Sequence, residues 1–70
     1  MSIEKLQRVC QRIKERNPSK SILPTFELDR AIMYEVGTDV RTLWANKIAL
    51  VKLGWIKKLK SRRFRLTYSE

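Results

Sequence analysis

The stretch Gly37-Thr38-Asp39-Val40-Arg41-Thr42-Leu43-Trp44-Ala45-Asn46-Lys47-Ile48-Ala49-Leu50-Val51-Lys52-Leu53-Gly54-Trp55-Ile56 decides how the chain is built. From about Asp39 to Leu53 its apolar residues recur with the period of a helix, and after Gly54 the period changes to alternation. On a helical wheel Val40, Leu43, Trp44, Ile48, Leu50 and Val51 share one arc, the expected core face. The other arc carries Arg41, Thr42, Ala45, Asn46, Ala49 and Lys52. Lys47 does not fit, because its Cα points into the apolar arc. Either its stem lies along the core with the ammonium escaping, or the helix is locally shifted.

Beyond Gly54, Trp55 to Leu59 and Phe64 to Tyr68 are rich in strand-forming aromatic and apolar residues. Phe64, Leu66 and Tyr68 point to one side and Arg63, Arg65 and Thr67 to the other. The segment between, Lys60-Ser61-Arg62, lies inside a stretch, 57–65, with six basic residues in nine. This is a β-hairpin with a cationic tip. Basic residues also guard exposed strand edges, but that task needs one or two lysines rather than six.

Upstream, Gly37 is expected to end a second helix as a left-handed C′ residue, and Thr38 to cap the third, with Asp39 in its first turn. Helices joined this closely must turn sharply. The second helix begins with Thr25 as N-cap, has Glu27 and Asp29 in its first turn, and buries Leu28, Ala31, Ile32 and Val36. Before it, Pro18 to Pro24 reads as a connection in which Ile22 and Leu23 form a very short edge strand or plug the core. The first helix runs from Ser2, its N-cap, to Arg16, where Asn17-Pro18 stops it. Ile3, Leu6, Val9, Cys10 and Ile13 share an arc of about 120°. Cys10 is therefore read as a buried structural thiol. The expected core comprises Ile3, Leu6, Val9, Ile13, Leu28, Ile32, Leu43, Leu50, Ile56, Phe64 and Leu66.

Composition narrows the function. Seventy residues allow one small domain, 1–70, with a thin core and no deep substrate cavity. Apolar residues at 43% and charged residues at 33% place the chain among globular proteins. A single cysteine excludes an internal disulfide, and no apolar run suits a membrane span or signal peptide. A cytoplasmic location is expected. Sixteen basic residues against seven acidic ones give a net charge of +9. The excess is concentrated beyond residue 39, where nine basic residues meet one acidic residue, Glu70. Such an asymmetry attracts polyanions. With no histidine, one cysteine and only two glycines, there is no plausible zinc site, no base titrating near neutrality and no phosphate-cradling loop. No metal, cofactor or small-molecule ligand is expected, and no enzyme activity.

The order of Gly37-Thr38-Asp39-Val40-Arg41-Thr42-Leu43, Leu50, Leu53-Gly54-Trp55-Ile56 and Arg63-Phe64-Arg65-Leu66-Thr67 resembles the winged helix-turn-helix DNA-binding family over essentially the whole chain. Thr38 stands where the family has an apolar residue, and Lys47 at a usual core position. In size the chain is similar to small regulators of archaeal viruses, plasmids and bacterial mobile elements. The resemblance implies an α+β fold of three helices and a C-terminal β-hairpin wing, with a short strand near 21–23. It implies that helix 39–53 enters the major groove of double-stranded DNA, with Arg41, Thr42, Ala45, Asn46 and Ala49 facing the bases and Lys52 on a phosphate. It implies that the basic hairpin 57–65 grips the backbone or minor groove through Lys57, Lys58, Lys60, Arg62 and Arg63. A transcriptional regulator working on the nucleoid, or in a host cytoplasm, follows, with homodimerisation on paired half-sites. Tyr34, Trp55 and Tyr68 are candidates for the dimer surface if exposed, a core role being the other reading. An RNA- or ribosome-associated basic protein and a protein-interaction winged helix are the alternatives.

Overall fold

The computed structural model describes residues 3–69. Ser2, expected to cap the first helix, lies outside them. Helix α1 spans Ile3–Arg16, strand β1 Ile22–Pro24, helix α2 Thr25–Glu35 and helix α3 Val40–Lys52; β2 and β3 follow at Ile56–Leu59 and Arg63–Leu66. The three strands form one antiparallel sheet in the order β1-β3-β2. The expected α+β architecture of three helices and a C-terminal hairpin is present, and the short strand near 21–23 joins the sheet. The strand order is compatible with a winged-helix arrangement.

Punctuation in the sequence accounts for the ends of α1 and α3. Asn17 closes α1 with two bonds to the Ile13 carbonyl, one from its backbone N–H at 3.0 Å and one from Nδ2 at 3.1 Å, and Pro18 prevents continuation. At the end of α3, Gly54 adopts a φ of 76°. Its N–H donates to Val51 at 3.0 Å and that of Trp55 to Leu50 at 3.1 Å. These are the two bonds of a Schellman cap, which satisfies carbonyls that α3 would otherwise leave unpaired.

Three expectations about helix ends need correction. Gly37 is not left-handed; the only glycine with positive φ among the described residues is Gly54. The N–H groups of Val36 and Gly37 both bond the Ile32 carbonyl instead, and α2 unwinds into the turn without needing a special residue. Asp39, not Thr38, caps α3, its carboxylate accepting from the Arg41 N–H at 3.1 Å. Thr25 is the first helical residue of α2 rather than its cap; Pro24 holds the cap position and has no side chain to bond there. The two threonines were each one place out because a threonine can serve on either side of a helix boundary.

The core of the described residues comprises Leu6, Val9, Cys10, Ile13, Leu23, Leu28, Ala31, Ile32, Leu50, Ile56, Phe64 and Tyr68. Leu23 is therefore both strand residue and plug. Leu43 and Leu66 pack against this core half-buried, whereas Ile3, expected inside, is 57% exposed in the first turn of α1. Tyr68 closes the core edge-to-face on Trp55, with ring centroids 5.0 Å apart. Side chains of this size each contribute about 1.5–3 kcal/mol on burial, so a core this small depends on every one. Cys10 is fully buried, and burial pushes its thiol up to about 12, with nearby Lys14 pulling the other way. No helix among the described residues is long and apolar enough to cross a membrane.

Candidate nucleic-acid interface

Helix α3 is where the structure departs most from the wheel. Asn46, expected to face DNA, is 2% exposed. Its Nδ2 donates to the Thr42 carbonyl at 2.7 Å, while its Oδ1 is buried without a partner. Thr42, Ala45 and Ala49 are half-buried, and Ala49 packs on the core. Of the six residues expected to contact DNA from this helix, only Arg41 and Lys52 are exposed. Conversely Val40 is 76% exposed, Trp44 67% and Val51 39%, although all three were expected inside.

The cause is a rotation about the helix axis. Two candidate inward faces share Leu43 and Leu50: one adds Val40, Trp44 and Val51, the other adds Asn46 and Ala49. The thin core accepts the set with smaller side chains, because an indole does not fit where a helix lies close against its neighbours. The position of Lys47 agrees with that rotation. Its side chain is largely covered and its ammonium pairs with Asp29 of α2, which ties consecutive helices together. That misfit lysine was the one signal in the sequence that the apolar arc was not the buried one.

The sheet sorts the remaining cations. Lys58 pairs across the ladder with Phe64, and Lys57 with Arg65, which has Ile22 on its other side. Residues opposite one another share a face, so Lys58 lies on the core side of the sheet at its edge. There it lines a cleft of about 230 Å³ with Trp44, Lys47, Ile48, Val51 and Lys52. Lys57, Arg63 and Arg65 occupy the outer face. Lys57 and Arg65 are directly opposite like charges, an arrangement that costs stability until an anion neutralises it. Arg65 was not counted among the expected contacts, although its alternation with Phe64 already placed it outward.

The hairpin tip, Lys60 to Arg62, contains no glycine, yet Ser61 and Arg62 have φ of 63° and 56°. Non-glycine residues occupy this region at a cost. The tip is not a free arm: the Arg62 carbonyl accepts from the Thr25 N–H at 2.8 Å, which holds it against the start of α2.

Among the described residues, ion pairs engage three of the seven cations before residue 40 and one of the nine beyond it. Arg12 pairs with Glu35, Arg16 and Arg30 with Glu27, and Lys47 with Asp29. Among the described residues, the side chains of Arg41, Lys52, Lys57, Lys58, Lys60, Arg62, Arg63 and Arg65 have no such partner. All eight are exposed. Of the three aromatic residues suggested for a dimer surface, Tyr68 is buried and Trp55 half-buried. Tyr34 is 68% exposed, with the Arg12 guanidinium 4.9 Å from its ring centroid. No group of three His, Cys, Asp or Glu side chains among the described residues is arranged to hold a metal ion. In comparison with known proteins, no family model, curated protein or solved structure matches this chain.

Proposed function

We propose that this chain is a non-enzymatic double-stranded DNA-binding protein of the winged helix-turn-helix type, acting in the cytoplasm as a transcriptional regulator. One observation carries the reading: eight exposed cations lie between residues 41 and 65, and none of them has an acidic partner among the described residues. Most of the acidic groups that do pair are drawn to the arginines of α1 and α2. An uncompensated charge of this density is the footprint of a phosphate-binding surface.

The arrangement changes which residues do what. Arg41 and Lys52 are the cations that α3 offers to a groove. Lys57, Arg63 and Arg65, from one sheet face, and Lys60 and Arg62, from the anchored tip, suit the phosphates of a flanking strand. Asn46 has no part in base reading. A homodimer on paired half-sites belongs to the same proposal, with Tyr34 the exposed aromatic residue left to serve it.

The test is fluorescence anisotropy with a labelled random duplex, a structured RNA hairpin and a duplex selected from a random pool, each at several salt concentrations. The duplex is expected to bind more tightly than RNA, and log K to fall with log salt at roughly 0.9 per phosphate neutralised. Arg62→Ala and Arg63→Ala should each lower that slope by about one unit on every duplex. Tighter binding to the RNA, or a slope indifferent to both substitutions, would reject the proposal. Light scattering on the selected duplex decides the dimer.

A further inference from the structure

Helix α3 carries a second feature that DNA binding does not account for. Val40, Trp44, Ile48 and Val51 recur at i, i+4, i+8 and i+11, so they form one stripe within an arc of about 80° and roughly 16 Å long. Three of the four are exposed, Trp44 by two thirds, and the fourth is half-buried. Exposing an indole and two aliphatic side chains on a domain this small works against solubility and stability, and a contiguous apolar stripe of this kind marks an interface. Its middle opens into the cleft of about 230 Å³ between Trp44, Ile48 and Val51, whose rim is Lys47, Lys52 and Lys58. Lys47 is committed to Asp29; Lys52 and Lys58 have no partner within the described residues.

We propose that the outer face of α3 is a docking surface for an acidic amphipathic helix of a partner protein. One bulky apolar side chain of that helix enters the cleft, neighbouring apolar residues lie along Val40 and Trp44, and its carboxylates meet Lys52 and Lys58. The charge pattern selects this occupant. A second copy of the chain would bring the same lysines against these lysines, each copy carrying a net charge of +9. Nucleic acid would satisfy the rim, but a phosphate backbone gains nothing from valine and isoleucine at the centre. Apolar centre and cationic rim together match the mode in which a short helix lays an apolar stripe into a groove and aligns opposite charges along its edges. The proposal goes beyond DNA binding and rests on a different observation. Because Arg41 and Lys52 border the same face, a docked helix would also exclude α3 from a groove.

The probe is a fluorescein-labelled synthetic peptide of about sixteen residues, stapled to hold a helix. It has leucines at i, i+4, i+7 and i+11 with glutamates on the flanks, and its control is a shuffled peptide of the same composition. The full chain is expected to bind the amphipathic peptide about tenfold more tightly than the shuffled one. Trp44→Ala and Ile48→Ser should each remove most of that preference, with circular dichroism confirming the fold. In a Trp55→Phe background, Trp44 emission should shift to the blue on binding. Equal affinity for both peptides reduces the surface to charge alone and overturns the proposal. So does a dimer by sedimentation equilibrium that dissociates on Trp44→Ala, because the stripe then belongs to a second copy. A loss of duplex affinity in Trp44→Ala as large as the loss of peptide affinity puts the stripe in DNA and overturns it as well. Arg63→Ala, on the other sheet face, should weaken DNA and leave the peptide untouched, which separates failure of this inference from failure of the DNA-binding one.

Discussion

Lys47 of α3 pairs with Asp29 of α2 across the turn that joins them. Both groups are partly exposed, 23% and 33%, so the pair is shielded but not dry. Asp29→Asn and Lys47→Met are each expected to lower stability by about 1 kcal/mol, and the double variant by less than their sum. Urea denaturation of the four proteins in this cycle measures the coupling. Strict additivity would mean that the rotation of α3 is set by packing alone.

Asn46 yields the opposite sign. Its Oδ1 is buried without a partner, and its amide serves only the carbonyl of its own helix. Asn46→Leu keeps the branched heavy-atom skeleton and removes that unpaired oxygen, so it is expected to stabilise the fold by about 1 kcal/mol. DNA affinity and sequence preference should not change. A variant that relaxes sequence preference while keeping its stability would show Asn46 reaching a base.

The two glycines should behave differently. At Gly54 a side chain meets open space, but the φ of 76° is strained for any L residue. Gly54→Ala is expected to cost about 1–2 kcal/mol. At Gly37 an added Cβ meets only Thr42 Cγ2 at an ordinary 3.8 Å, with no positive φ. Gly37→Ala should therefore stabilise by about 0.4–1 kcal/mol through the unfolded chain. Thermal unfolding of both variants checks the pair, and matching destabilisation would put Gly37 back in the role first expected of it.

Cys10 gives a prediction in pH. With its folded value raised to about 12 from an ordinary 9.0, the buried thiol stays neutral while the unfolded thiol ionises. The unfolded state then binds fewer protons, so stability is intact below about pH 9 and declines as pH rises toward 12. Cys10→Ala should lack that part of the decline. Iodoacetamide should label the native protein only at the rate of global opening; fast labelling at pH 8 would show the thiol accessible.

The elements were legible wherever local chemistry set them. Asn17-Pro18 stops α1, the Leu53-Gly54 pair ends α3, and the alternation of Phe64, Leu66 and Tyr68 with Arg63 and Arg65 gives the inner and outer sides of β3. The rotation of α3 was not legible, because Leu43 and Leu50 belong to both possible faces and the rotation is seen only in tertiary contacts, such as that of Lys47 with Asp29 eighteen positions before it. Cations adjacent in sequence were grouped as one wing, whereas the strand pleat sends Lys57 and Lys58 to opposite sides. The exposed indole escaped notice for the same reason as the buried asparagine: residue type suggested a destination that tertiary packing reversed.

The place of β3 in the sheet has a consequence for how the molecule is made. β3 comes last of the three strands in chain order but lies in the middle, and β1 and β2 bond only to it. During synthesis, therefore, no residue before Arg63 can give either of the earlier strands a neighbour in this sheet. The helices can collapse on one another first, but Leu23 has no ladder until Phe64 emerges opposite it. A nascent chain arrested before residue 63 would hold three helices and no sheet, and the cationic surface would come together only once β3 has emerged.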